Sequence, residues 1–539
     1  GAYVSTRTCH NDPVGCLGML EIHKDFQTRM FLLDNGRTVA GLVIDETPTE
    51  YHVLPNPLEP KAVTKVQKTA IEEKKLSKVS TMPHGLLDTF SRAEILSLVA
   101  FLQSDESVEG ESYQVPLSNE MRSRNWHQWR GPESNGVSRT ATPPKTWSET
   151  ENVKWRAAIE GSGGSTPIVW EDKIFLLTAI NTGEVDPSLP KPEDQPKRVF
   201  GIKFPNTRYE FVVLCLDRET GKEIWRRTAT TGIPHEGHHS DNDFASASPV
   251  TDGENLYCWF GSAGLFCFDL NGNKIWQRNL GKAYMGASLG EGCSPVLRDG
   301  FLAIVRDHSR QSMIHVIDAK NNGKTLWEKK RDEPNAWATP YATYHSGRTQ
   351  LITAASNKIR SYDLYSGEII WECGGLTGNV IPCPVVEEDL VYCMSGYEGF
   401  SLLALPLNSL GSITPDTAAV WRIKKDTPYI PSPLLYDGRL FFTKSNQAIL
   451  TCVDSRTGKP YFGPKRLPNL NGLYASPVAA DGRVYITGRR GMTLVLENGN
   501  EFKLLAKNKV DDLIDSSVAL AGSQLFLRGQ NKLYCIEEK

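Results

Sequence analysis

Ala245-Ser246-Ala247-Ser248-Pro249-Val250-Thr251-Asp252-Gly253, followed by the apolar run Leu256-Tyr257-Cys258-Trp259 and then by Trp276, is one copy of a pattern that fills two-thirds of the chain. A short apolar strand opens in Ser/Thr/Cys-Pro, and an aromatic residue or Leu follows tens of residues later, after a Gly-rich turn. The other openings are Ser165-Thr166-Pro167, Ser294-Pro295, Thr339-Pro340, Cys383-Pro384, Ser432-Pro433, Ser476-Pro477 and a degenerate Ser516-Ser517. The closing positions are Trp225, Trp276, Trp327, Trp371, Trp421, Phe462 and Leu505. From Pro249 the prolines step by 46, 45, 44, 49 and 44 residues, the length of a four-stranded propeller blade.

Seven units and a half are present. Ser516 to Ile536 supplies three strands with no closing Trp, whereas Val153 to Ile159 carries a closing Trp155 with no blade before it. Joining them completes an eighth unit and removes the strand edges that an open array exposes. The expected fold is therefore all-β, an eight-bladed β-propeller closed by an N-terminal strand. Pro suits the first strand of a blade, where no ladder donor is needed. Turns such as Asp217-Arg218-Glu219-Thr220-Gly221-Lys222 supply Gly for positive φ, and the Trp at the end of each unit offers an apolar face to its neighbour.

The sequence of 539 residues has a net charge of −3, with 23% charged and 40% hydrophobic residues, as in an ordinary globular protein. Basic residues are neither in excess nor clustered, which excludes a nucleic-acid partner or an anionic membrane surface. No apolar run reaches the roughly 18 residues of a transmembrane helix. The first residues form no charged and apolar leader, so an export signal has been removed or was never present. Of 11 cysteines most fall in strands; Cys258 with Cys267, or Cys383 with Cys393, could meet across a hairpin, a spacing equally natural for unpaired core thiols.

The N-terminal region differs in kind. Met30–Leu33, Thr38–Ile44 and Tyr51–Leu54 read as strands, and Asp34-Asn35-Gly36 is a hairpin signal. Ser91-Arg92-Ala93-Glu94 is a capping box before a helix with Ile95, Leu98, Val99 and Leu102 on one face. Residues 1–103 are assigned to a small α+β domain, 104–122 to a polar linker and 123–539 to the propeller.

Met82-Pro83 with a following Gly85 and that capped helix resembles the last third of a class I cytochrome c, and the strands around Asp34 resemble the haem-binding variant of planctomycete secreted proteins. The resemblance implies haem c with Met82 as an axial sulfur ligand. Thr8-Cys9-His10 supplies the second Cys and the His of an attachment motif, with Thr6 in place of the first Cys, so Cys9, His10 and Met82 are the implied haem residues. Only eight residues precede Cys9, too few for the first helix of that family, and the alternative is a cropped domain in which these residues are structural.

Trp126-His127-Gln128-Trp129-Arg130-Gly131-Pro132 and the Ser-Pro repeats resemble exported planctomycete propellers with pyrroloquinoline quinone-like repeats, shared with quinoprotein alcohol dehydrogenases and with a lipoprotein of outer-membrane assembly. The resemblance implies an exported or periplasmic protein. Quinone binding of the methanol-dehydrogenase type uses a disulfide of adjacent cysteines, and no two cysteines here are adjacent.

Loops entering the inner strands converge on the mouth of the channel. The richest, residues 234–243, places His235, His238, His239, Asp241 and Asp243 within nine residues, a candidate transition-metal or acid/base cluster, against the bland alternative of a solvated polar loop. Others bring Glu291, Asp332, Trp337, Tyr429, Tyr474, Asp512 and Asp515. The Pro-rich insertion from Asn181 to Tyr209 is expected to lie over one face as a partner or substrate contact. Three functions follow: an exported electron-transfer protein with a haem domain and a propeller for a ligand or partner; a binding scaffold without haem; and a quinone-dependent dehydrogenase.

Overall fold

The computed structural model describes residues 28–55, 63–76 and 119–538. The chain divides into two compact units, Gly1–Tyr113 and Gln114–Lys539. Cys9, His10, Met82 and the helix expected from Ser91 lie outside the described residues.

In the first unit the described residues form one antiparallel sheet in the order Thr64–Gln67, Glu50–Leu54, Thr38–Glu46, Arg29–Leu33, Ile71–Leu76. Its hairpin turns at Asp34-Asn35-Gly36, where Gly36 takes φ +77° and the Asn35 side chain accepts from the Arg37 amide. Phe31, Tyr51, Val53 and Val66 are buried on one face.

Among the described residues of the second unit there are eight sheets, each a run of four antiparallel strands. The first comprises Ile168–Trp170, Lys173–Val185, Thr207–Asp217 and Glu223–Gly232, and the second Val250–Thr251, Asn255–Trp259, Leu265–Asp269 and Lys274–Arg278. The last takes Ala519–Ala521, Gln524–Arg528 and Lys532–Glu537 from one end of the unit and Val153–Ala158 from the other, with Cys535 opposite Trp155. The fourth sheet gains a fifth strand, Gly411–Ile413, which pairs in parallel with Ile369–Cys373 and comes from the last connection of the fifth sheet.

The first strand of each sheet is short, fully buried in the first, second, sixth, seventh and eighth sheets, and a residue just before it links to the next sheet. The amide of Thr166 donates to Ser248 Oγ (2.9 Å), Ser248 to Ser294 Oγ (2.9 Å), Ser294 to Thr339 Oγ1 (3.0 Å) and Thr339 to Cys383 Sγ (3.1 Å). Cys383 donates to Ser432 Oγ (3.1 Å), Ser432 to Ser476 Oγ (2.9 Å) and Ser476 to Ser517 Oγ (3.0 Å). This explains the Ser/Thr/Cys-Pro motif. Pro has no amide hydrogen, so its predecessor supplies both the donor to one neighbour and the acceptor for the other. Between the eighth and first sheets the link changes: Ser516 Oγ donates to Gly164 O and the buried Arg528 guanidinium holds the Ser165 carbonyl.

The closing tryptophans join the same neighbours further out. Trp155 Nε1 donates to Arg218 O, Trp225 to Leu270 O, Trp276 to Ala319 O, Trp327 to Leu364 O and Trp421 to Ser455 O. Each ring lies on a positive-φ glycine of the next sheet's last turn; at Gly221 a Cβ would come within 2.5 Å of Trp155. Trp371 departs from the pattern: it is fully buried in the strand flanked by Gly411–Ile413, and its Nε1 has no acceptor among the described residues.

All nine described cysteines are free and buried. Neither expected pair is joined: the register sets Cys258 opposite Phe266 and Cys267 opposite Tyr257, while Cys393 faces Leu403 and Cys383 serves the inner ring of links.

Candidate functional site: the mouth of the channel

The linking residues other than Cys383 line the floor of a cavity of about 460 Å³ that draws residues from the loops of all eight sheets. On the far side the channel is blocked by the segment that carries the Trp126-His127-Gln128-Trp129 motif. Trp126 bridges to Val169, the His127 carbonyl accepts from Thr251, Tyr341 donates to Glu133 O, and Val137 bridges to Ala479. Buried Arg130 donates to the carbonyls of Pro433 (2.6 Å), Pro477 (2.7 Å) and Asn135 (2.8 Å), and burial lowers its guanidinium to about 10. These contacts lie further along the first strands than the linking residues, and Trp129 reaches the cavity itself. The mouth is therefore a blind pocket, whose volume falls in the range of small-molecule sites, about 300–1,000 Å³.

Its walls are aromatic and ionic. Trp337 is fixed by a hydrogen bond from Nε1 to Gly290 O (2.7 Å), and Tyr397 and Tyr429 stack at 5.0 Å between centroids. Opposite charges meet at Arg489, which donates from Nε and Nη2 to the two oxygens of Asp515 (2.7 and 2.9 Å) and from Nη2 to Asp241 Oδ1 (2.9 Å). The Tyr474 hydroxyl donates to Asp241 Oδ2 (2.7 Å), and the Arg489 guanidinium lies 4.0 Å from the Tyr474 ring centre. Burial pushes the Asp241 carboxyl up, but the Tyr474 and Arg489 hydrogen bonds outweigh it and leave the acid below its ordinary value. Burial and the Asp241 charge together push the Tyr474 phenol well up.

The structure thus brings Trp337, Tyr429, Tyr474, Asp515, His239 and Asp241 into one lining. It divides the rest of the His-rich loop. His235 turns to a second cavity of about 240 Å³, where its Nε2 donates to Ala283 O (2.6 Å) beside Glu236 and Glu291. His238 Nδ1 donates to the His239 carbonyl and its ring meets Phe244 edge-on, while Asp243 Oδ1 accepts from the Ala245 amide and the Ser246 hydroxyl. Among the described residues no group of three or more His, Cys, Asp and Glu is gathered to hold a metal ion. Asp332 is bound to Arg360, away from the mouth lining, and Asp512 accepts from the Leu513 and Gln530 amides.

Two lining residues, Tyr397 and Phe200, and Arg489, which ties the lining acids Asp241 and Asp515 together, escaped the sequence reading. Arg489 sits in the turn between the second and third strands of the seventh sheet, where no repeat marks it. Tyr397 occupies the corresponding turn of the fifth. Phe200 belongs to the insertion after Asn181; it takes φ +57°, is 68% exposed and meets the His239 ring edge-on at 5.2 Å.

Residues 210–463 match the family described as outer membrane protein assembly factor BamB. The chain carries a PQQ-like repeat region of BamB type. Among solved structures, BamB from Moraxella catarrhalis is similar at 11% identity, covering 71% of this chain and 99% of that one, with a TM-score of 0.48. A quinohemoprotein alcohol dehydrogenase from Pseudomonas putida HK5 is similar at 9% identity, covering 80% of this chain and 82% of that one (TM-score 0.49), and one from Comamonas testosteroni at 14% identity, covering 78% and 82% (TM-score 0.42). No curated protein sequence matches the chain. No helix among the described residues is long and apolar enough to cross a membrane.

Proposed function

We propose that the chain is an exported eight-bladed β-propeller that works as a receptor, with the blind mouth as the seat of a small polar ligand. The observation that carries this reading is the single concave lining to which all eight sheets contribute, aromatic and ionic on its walls and polar at its floor, a concave site with a few placed polar groups as ligand pockets have. The ion pairs hold the lining in shape without a ligand: Arg489 is already bound by two carboxylates, and Asp241 by two donors. Nothing in that arrangement pairs a nucleophile with a base, so binding rather than turnover is the function it supports. The test is a thermal-shift screen of the full chain against neutral, cationic and anionic small molecules, repeated with Trp337→Ala. A hit whose shift disappears in the variant supports the reading. Hits that persist in the variant, or no hit in any class, overturn it.

A second reading, favoured by Thr8-Cys9-His10 and by Met82-Pro83 in the sequence, adds electron transfer through haem c in the first unit. A haem absorption band with a covalent mass addition at Cys9 is its expected signature; a colourless chain with a free Cys9 thiol excludes it. A bound transition metal at His239 and Asp241, contributed in part by the ligand, is tested by metal analysis of the protein as purified.

A further inference from the structure

The inner ring of links leaves a set of donors unused. Ser248, Ser294, Thr339, Ser432, Ser476 and Ser517 each accept a neighbouring amide through the side-chain oxygen, and each lines the mouth. A hydroxyl has one donor besides its acceptor lone pairs; those of Thr339 and Ser432 are in hydrogen-bond contact with the Cys383 sulfur, whereas the O–H groups of Ser248, Ser294, Ser476 and Ser517 have no acceptor among the described residues. Four O–H donors therefore converge on the floor of one pocket, every one of them on a buried residue. Buried donors without partners are costly, so a ligand rich in oxygen acceptors is what this floor suits.

The walls narrow the class further. The charged residues of the ionic bridge are Asp241 and Asp515 against Arg489, a net charge of −1, and the charge of the cation is already balanced by both carboxylates. An anionic ligand would meet net repulsion with no free cation to receive it. A cationic ligand would have to draw the carboxylates away from Arg489. Trp337, Tyr429 and Tyr474 supply flat apolar faces beside polar groups, which matches the C–H faces and hydroxyl edges of a saturated ring bearing many hydroxyls.

Resting on the reading of the mouth as a receptor, we infer that it takes a neutral sugar, the ring lying against the aromatic wall with its oxygens on the serine and threonine floor. The native ring supplies its own control. Cys383 accepts the Thr339 amide where its neighbours use hydroxyls, so Ser294→Cys and Ser476→Cys keep the structural link while replacing a strong O–H donor by a weak S–H one.

The experiment is calorimetric titration of the full chain with cellobiose and methyl glucoside, and with glucuronic acid and glucosamine as charged counterparts. The neutral sugars are expected to bind, glucuronic acid at least about tenfold more weakly, and each Ser→Cys variant to lose about tenfold in affinity with an unchanged melting temperature. Equal affinity in the variants, or tighter binding of the charged sugars, overturns the inference. If no sugar binds but another class gives a shift that Trp337→Ala removes, the sugar assignment falls while the receptor reading stands. If nothing binds at all, both fall.

Discussion

The Tyr474 hydroxyl donates to Asp241 Oδ2 across 2.7 Å, joining the loop that enters the seventh sheet to the loop that enters the second. Arg489 binds the other Asp241 oxygen and Asp515, so three sheets are tied by one cation and two acids.

Tyr474→Phe and Asp241→Asn should therefore couple. The bridge is partly exposed, so each change is expected to cost no more than about 1 kcal/mol, with a coupling of about 0.5 kcal/mol or more between them. A double-mutant cycle on denaturant midpoints measures it. The pH dependence has a fixed sign: folded Asp241 holds its proton less readily than the unfolded residue, so the bridge's contribution is present above the ordinary carboxylate pKa and is lost as pH falls through the lower folded value. In Asp241→Asn that acid loss should shrink.

The seam between the eighth and first sheets rests on Trp155 over Gly221. Gly221 has φ +71°, and a Cβ there would sit 2.5 Å from the Trp155 ring. Gly221→Ala adds left-handed strain to that clash and should destabilise the unit by about 2 kcal/mol or more. Trp155→Phe keeps an aromatic face but loses the Nε1 bond to Arg218 O, and is expected to cost about 1 kcal/mol. A Gly221→Ala protein as stable as the parent would show that the ring and the turn are not in contact.

Much of this architecture is legible in the chain because the same physics recurs every blade. Ser/Thr/Cys before Pro, a Gly turn and a closing Trp are local signals, and Trp155 without a preceding blade already points to the pairing with Lys532–Glu537. The mouth is only half legible. Trp337, Tyr429, Tyr474 and Asp515 lie in loops that the repeat marks as converging. Arg489 lies in a turn whose sequence carries no repeat signal and Phe200 in an insertion that breaks the period, so only the fold brings them to Asp515 and His239. The His-rich loop misleads for the opposite reason: nearness in sequence puts five candidate ligands, three His and two Asp, in nine residues, but the turn directs His235 and His239 into different cavities.

His127 gives the blocking segment a pH response of its own. It is buried beside Trp170, its Nδ1 has no partner among the described residues, and burial lowers its pKa to about 4, with the nearby Arg122 charge adding to the effect. An unfolded histidine titrates near 6.5, so between 6.5 and about 4 the unfolded chain binds the proton that the folded one refuses. Stability should fall through that window as the solution is acidified, by up to about 3 kcal/mol from this residue. His127→Gln, which cannot titrate, should flatten the curve over the same range. An unchanged slope in that variant, followed by melting temperature against pH, would assign the acid response to other groups.

Loss of an inner link tests the ring most directly. Ser476→Ala removes the acceptor of the buried Ser432 amide while leaving its own amide bonded to Ser517. The orphaned donor should cost about 1–3 kcal/mol. Ser476→Cys should recover most of it, because Cys383 shows that a thiol accepts at this station. If the two variants melt together, the hydroxyl ring is incidental to the packing of the first strands; if the cysteine alone recovers, the Ser/Thr/Cys-Pro repeat is maintained by the hydrogen bond that passes from each sheet to the next.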